Sequence, residues 1–195
     1  MFRLLALLAC ALPLTGCVTG YTLVQPDSVT VAKGAMKVKP SIAWNKLPKS
    51  PLDIVQEENW TQNGPVLDLI TFVGGLPDGQ AIAKQRAKDD RKVPVFRSNM
   101  TPQDLVSMVE SYYRIKAGAT VFETSSVAPA RFLGQQAMEF NFNYVRADEV
   151  KRRGRALLAV ADGKLYFMAL DAAALHYFDA NALEFAAIAA SAVRT

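Results

Sequence analysis

Polar and apolar positions alternate strictly in several short runs, and two longer stretches carry a helical period. Ser28-Val29-Thr30-Val31 and Met36-Lys37-Val38-Lys39 alternate and join through Lys33-Gly34, which predicts a hairpin. Pro40, Pro48 and Pro51 interrupt the following segment, where Ile42-Ala43-Trp44 reads as a further short strand. Val66 to Val73 is rich in branched residues and follows the turn signal Gly64-Pro65, so it predicts a strand, with 74–79 as the loop that ends it. The polar, basic stretch 80–99 reads as a long surface loop with room for a helical turn.

Thr101-Pro102-Gln103-Asp104 is a helix start. Threonine can cap the first turn, proline needs no N–H there, and the aspartate meets the positive end of the helix dipole. Leu105, Met108, Val109 and Tyr112 then share one face, and Gly118 ends the helix. From Thr120 the pattern switches to period two. Met138, Phe140, Phe142 and Tyr144 face one way, and Glu139, Asn141 and Asn143 the other. Residues 152–161 return as a strand, and Asp162-Gly163 predicts a tight hairpin into 164–170. One helical turn over 171–177 and a closing helix over 179–193 complete the chain. In that helix Asn181, Glu184, Ser191 and Arg194 form a polar stripe, and the apolar remainder is expected on the sheet. The expectation is an α+β fold: an antiparallel sheet packed against two main helices, about 101–117 and 179–193, in one globular domain over 26–195.

The beginning of the chain has a different logic. Met1-Phe2-Arg3 precedes an apolar run from Leu4 to Pro13, too short for the roughly 20 residues that span a bilayer. Leu14-Thr15-Gly16-Cys17 resembles the lipobox of bacterial lipoproteins. The resemblance implies a signal peptide over 1–16, cleavage before Cys17, a diacylglycerol on its sulfur and an acyl chain on its amine, with 17–25 as the tether. Two or more chains anchor stably where one does not. In enterobacterial members an aspartate after the cysteine retains the protein in the inner membrane. Val18 departs from that pattern, which implies the periplasmic side of the outer membrane, with the periplasmic face of the inner membrane as the alternative. Over 66–193 the element order, closed by a helix of the type Leu183-Glu184-Phe185-Ala186-Ala187-Ile188-Ala189-Ala190-Ser191, resembles the PsbP-like fold of small exported accessory proteins. That resemblance implies an accessory or assembly role and carries over no catalytic residue.

Composition narrows the chemistry. The chain is 51% hydrophobic and 21% charged, as in a globular protein. Net charge is +4, or +3 once Arg3 leaves with the signal, a mild excess that does not mark a nucleic-acid binder. Cys10 leaves with the signal and Cys17 would be lipidated, so thiol catalysis, disulfides and cysteine metal sites are not expected. His176 alone cannot supply the about three or four protein ligands of a zinc site and reads as structural. No serine stands in a nucleophile motif, and Gly74-Gly75 lacks the Gly-Lys-Ser/Thr of a phosphate loop. The pairs Glu57-Glu58, Asp89-Asp90 and Asp148-Glu149 read as solvated loop charge.

Two basic clusters remain as candidate contacts with anionic lipid headgroups or an envelope protein. One is Lys151, Arg152, Arg153 and Arg155; the other is the loop from Lys84 to Arg97 with Arg91 and Lys92. The functional expectation is a membrane-anchored, non-enzymatic binding, accessory or assembly module with no cofactor, metal or nucleic acid. Its alternatives are a periplasmic hydrolase using carboxylates far apart in sequence, and a carrier holding an apolar ligand among Phe140, Phe142, Tyr144 and Phe185.

Overall fold

The computed structural model describes residues 20–85 and 92–195. The segment 1–16 expected to be a signal peptide, Cys17, Arg91 and the pair Asp89-Asp90 lie outside the described residues. In chain order the elements are β1 (Thr22–Val24), β2 (Val29–Val31), β3 (Met36–Val38), β4 (Trp44–Lys46), β5 (Glu57–Thr61), β6 (Asp68–Pro77), α1 (Pro102–Lys116), β7 (Ala119–Phe132), β8 (Gln135–Arg146), β9 (Lys151–Ala161), β10 (Lys164–Ala173), α2 (Tyr177–Ser191) and β11 (Val193–Arg194). Eight strands form one antiparallel sheet in the order β1-β4-β5-β6-β10-β9-β8-β7, and β11-β3-β2 form a second. The α+β expectation holds, with one helix on each face of the large sheet.

Alternation along the strands separates the two cores. Met138, Phe140, Phe142 and Tyr144 of β8 pack with Phe167 and Ala169 of β10 under Leu105, Met108, Val109, Tyr112 and Tyr113 of α1. Across the sheet, Trp60, Phe72, Met168 and Leu170 pack with Phe178, Phe185 and Ile188 of α2 and with Val31, Met36 and Val38 of the small sheet. Thr101 caps α1 in a reciprocal box with Asp104, as its sequence predicts. Asp162 (φ 50°) and Gly163 (φ 69°) make the predicted turn between β9 and β10.

Several sequence expectations need correction. Thr22–Val24, read as tether, pairs with β4 as an edge strand of the large sheet. Residues 74–77 continue β6 rather than ending it. At Gly74 an added Cβ would stand 2.9 Å from Ala35 Cβ and 3.0 Å from Ala32 Cβ, so the bare backbone lets the β2–β3 hairpin approach. Gly75 (φ 67°) takes up the register shift of β6 against β10. The 80–99 stretch is no free loop. Phe96 bonds back to Gly79 and Gln80, Ala81 bridges Val95, and Ile82, Ala83 and Phe96 are buried in the α1-side core.

The C-terminal end also differs. Residues 171–173 are strand rather than helical turn, α2 starts at Tyr177 and ends at Ser191, and Val193–Arg194 pair with β3. The polar stripe of α2 faces inward, where unpaired backbone needs it. Glu184 accepts from the N–H and the hydroxyl of Ser41, and Ser191 Oγ accepts from the Lys39 N–H at 2.8 Å. Leu183, by contrast, is 85% exposed. Among the described residues no helix is long and apolar enough to cross a membrane.

Candidate functional site: a charged cleft at the end of α1

The last turn of α1 stands over the sheet where β5, β6, β10, β9 and β8 run side by side. Period two in β5 sends Glu58 and Trp60 to the α2 side, where the Trp60 Nε1–H donates to Glu58 at 2.9 Å. Glu57 and Asn59 therefore face α1. On β10 the same alternation turns Asp171 toward α1, and on β9 it turns Arg152 that way. Pairing places Tyr144 directly across from Arg152. From α1, Tyr112 and Lys116 are one turn apart and reach down together. Asp53 joins them from the segment before β5.

These side chains line a cleft of about 280 Å³ together with Ser50, Thr71, Tyr113, Arg146 and a partly apolar rim that includes Leu47, Pro48 and Leu69. The cleft has two charged clusters. In the first, Lys116 donates to Asp53 and, at 2.7 Å, to Glu57 Oε1. Glu57 Oε1 also accepts from Asn59 Nδ2 at 2.8 Å and Tyr112 OH at 2.9 Å. Asp53 accepts from the Ser50 N–H (2.8 Å) and hydroxyl (2.6 Å). In the second, Arg152 Nε donates to Asp171 Oδ1 at 2.8 Å, and Tyr144 OH donates to the same oxygen at 2.9 Å. The Arg152 guanidinium also reaches the carbonyls of Asp171 and Val66.

Burial sets the electrostatics. It pushes the Glu57 carboxyl above its ordinary range, and Asp53 adds to the push. Lys116 and Asn59 oppose it without cancelling it. Burial acts on Asp53 in the same sense, but the hydrogen bonds from Lys116 and Ser50 outweigh it and hold this carboxyl low. Burial works against the charge of Arg152 too, and Asp171 overcomes it, raising the guanidinium. Desolvation raises all three tyrosines, 112, 113 and 144, with Glu57 or Asp171 as the next cause. Lys49, an exposed residue in the segment before β5, is lowered by desolvation against the pull of Asp53 and Glu57.

The arrangement has a solved counterpart at the level of fold. Cyanobacterial PsbP (CyanoP) from Synechocystis sp. PCC 6803 superposes with a TM-score of 0.57 at 14% identity, covering 92% of this chain and 96% of that one. The fold is PsbP-like. LpqN of Mycobacterium tuberculosis, described as involved in cell envelope biogenesis, matches at a TM-score of 0.36 and 11% identity over 93% of this chain and 87% of that one, a likeness too loose to argue from. No protein-family model matches the chain, and no curated protein sequence does.

Within the PsbP-like sheet the basic run 151–155 does not form one surface. Strand alternation buries Arg152, 2% exposed, on the α1 side, so it is removed from the candidate surface contacts. Arg153 pairs with Asp179 at 3.0 Å and stacks on Phe178 at 4.4 Å, and Arg155 donates to Asn141 at 3.1 Å. Lys151 and Lys92 are exposed, and Arg91 lies outside the described residues. His176 is an exposed residue at the start of α2, and no cluster able to hold a metal occurs among the described residues.

The reading of Glu57-Glu58 as solvated loop charge is overturned, because both are buried in β5. The apolar-carrier reading also fails. Phe140, Phe142 and Tyr144 are tightly packed on one face and Phe185 on the other. Asp53, Glu57, Lys116 and Asp171 are the site residues that sequence reasoning missed. The available signal was the alternation of 152–161, which already separates Arg152 from its neighbours.

Proposed function

We propose that the chain is an exported lipoprotein, anchored through Cys17 at the periplasmic side of the outer membrane, whose PsbP-like domain is a non-enzymatic binding module for a small polar molecule. The Leu14-Thr15-Gly16-Cys17 pattern supports the anchor. The cleft supports the binding role, and its size lies just below the usual range of small-molecule sites, about 300–1,000 Å³.

The occupancy of the three carboxyl groups carries the choice of binding over turnover. Glycoside hydrolysis needs two carboxyls free to face a bond. Here Asp53 is held on both oxygens by Ser50 and Lys116, and Asp171 by Arg152, Tyr144 and a 3.4 Å contact from Tyr113. Glu57 keeps one oxygen free. That oxygen is buried, and a single unpartnered carboxyl oxygen leaves the two-carboxyl chemistry without its partner.

Two measurements test the reading. Mass spectrometry of the membrane fraction should find an acylated Cys17 terminus, and Cys17→Ala should release the protein. A thermal-shift survey of small polar molecules should find saturable stabilisation that Glu57→Gln alters. Turnover of a glycoside or ester, abolished in Glu57→Gln, would replace the binding role with the hydrolase.

A further inference from the structure

Because β1 belongs to the sheet, the tether to the lipid is short. Thr22–Val24 are held against β4, and Gly20 already stands beside Pro48: an added Cβ there would lie 3.8 Å from Pro48 Cβ. Only Val18 and Thr19 separate Gly20 from Cys17. At about 3.3–3.6 Å per residue, the step from Cys17 to Gly20 spans at most ~11 Å. An acylated Cys17 sits at the edge of the hydrocarbon, under a headgroup layer roughly 5–8 Å deep, half the difference between a core of ~30 Å and a bilayer of ~40–45 Å. Only a few ångströms of reach remain. The edge of the domain that carries Gly20 therefore meets the headgroups.

The side chains on that edge suit such a surface. Val24 is buried with Trp44 in the α2-side core, so alternation along β1 turns Tyr21 and Leu23 to the α1 side, where the cleft opens. They are 43% and 57% exposed. Leu23 pairs with Asn45, and the same register sets Tyr21 beside Leu47, which with Pro48 belongs to the rim of the cleft. Val55 is exposed as well, and the Lys49 Nζ–H groups donate to the carbonyls of Ile54 and Val55 at 3.1 and 3.3 Å, which holds an exposed ammonium beside it. Over 20–24 and 46–58 the carboxyls are Asp53, Glu57 and Glu58, all buried; Lys116 pairs with the first two and Lys46 with the third. The edge thus presents a tyrosine, apolar side chains and a lysine to solvent, and no carboxylate. Tyrosine concentrates at headgroup level, and lysine is drawn to anionic lipid.

We propose that the β1–β4 edge docks on an anionic phospholipid bilayer, with Tyr21 and Leu23 set among the headgroups, Lys49 against their phosphates, and the Leu47-Pro48 rim of the cleft turned toward the membrane. This rests on the reading of Cys17 as the anchor and gives the anchored domain its orientation. A few side chains suffice, because the lipid already confines this edge to the surface and makes their contact intramolecular. Leu183 is more exposed than either Tyr21 or Leu23, but it stands on α2, on the opposite face of the sheet from α1, and stays in water.

The test uses the full mature chain, acylated at Cys17, in vesicles of phosphatidylethanolamine and phosphatidylglycerol. Residues 18–195 hold no cysteine, so Leu23→Cys, Val55→Cys and Leu183→Cys each supply one site for a polarity-sensitive fluorophore. The labels at Leu23 and Val55 should shift to the blue and be quenched by acrylamide several-fold less than the label at Leu183. If the Leu23 variant fails to fold, Val55 carries the comparison. Vesicles of phosphatidylcholine alone should protect Leu23 less, and equal protection there overturns the choice of an anionic surface. Labels at Leu23 and Val55 as open to acrylamide as the one at Leu183, on protein that floats with the vesicles, overturn the docking and leave the anchor standing. A mature chain that mass spectrometry finds without acyl groups overturns the anchor, and the docking with it.

Discussion

The Phe142 ring lies against the backbone of Gly154, its partner across the β8–β9 pair: a Cβ added at Gly154 would stand 2.1 Å from Phe142 Cζ. The ring cannot easily retreat, since Tyr113 and Phe122 pack on it with ring centres at 4.7 and 5.0 Å. Gly154→Ala should therefore overpack the α1-side core and cost about 1–3 kcal/mol. Urea unfolding would show the loss as a lower midpoint, and an unchanged midpoint would mean the ring has room to move.

Arg152 and Asp171 are buried partners on neighbouring strands. Removing either leaves the other charge buried without its partner, at a cost of about 3–5 kcal/mol. Arg152→Ala and Asp171→Ala should each lower the denaturation midpoint sharply. The double variant should lose less than the sum of the two, and strict additivity in this cycle would argue against the pair.

Glu57 gives a pH dependence with a definite sign. Its folded carboxyl titrates above the ordinary value of 4.5. Between that value and its raised one the folded state holds more protons than the unfolded state, so stability falls as pH rises. Glu57→Gln should flatten this descent in a series of melting temperatures. Asp53 acts in the opposite sense. Its folded carboxyl lies below 3.8, so the stability it contributes is lost only as pH falls below that value.

Faces of α2 can be told apart by a pair of substitutions. Phe185 is 1% exposed, and Phe185→Ala should cost about 3–5 kcal/mol. Leu183→Glu, on the exposed side two residues earlier, should change stability by no more than about 0.5 kcal/mol. Thermal melts of both variants check the orientation, and a large loss from Leu183→Glu would contradict it.

Local rules made α1, the Asp162-Gly163 turn and the alternation over 138–144 readable from sequence, because cap, turn and period each lie within a few neighbouring residues. Three features escaped for a shared reason. The site draws Asp53, Glu57, Lys116, Arg152 and Asp171 from five separate segments, and only strand register brings them together. A run such as Lys151-Arg152-Arg153 looks like one patch along the chain, yet a strand deals its members to opposite faces. Asn181 and Glu184 looked like the wet side of α2, when both are buried: Glu184 accepts from the Ser41 N–H, and Asn181 donates to the Tyr177 carbonyl one turn back. Composition cannot tell a polar residue that faces water from one that replaces it.

The strand order 1-4-5-6 against 10-9-8-7 is two successive meanders joined along one seam, β6 with β10. A chain emerging from its N-terminus completes the first meander while β10 is still to come, and so presents the long, apolar edge of β6 without its neighbour. Such an edge is a template for pairing with other chains. The protein therefore has its greatest exposure to misassembly before β10 emerges.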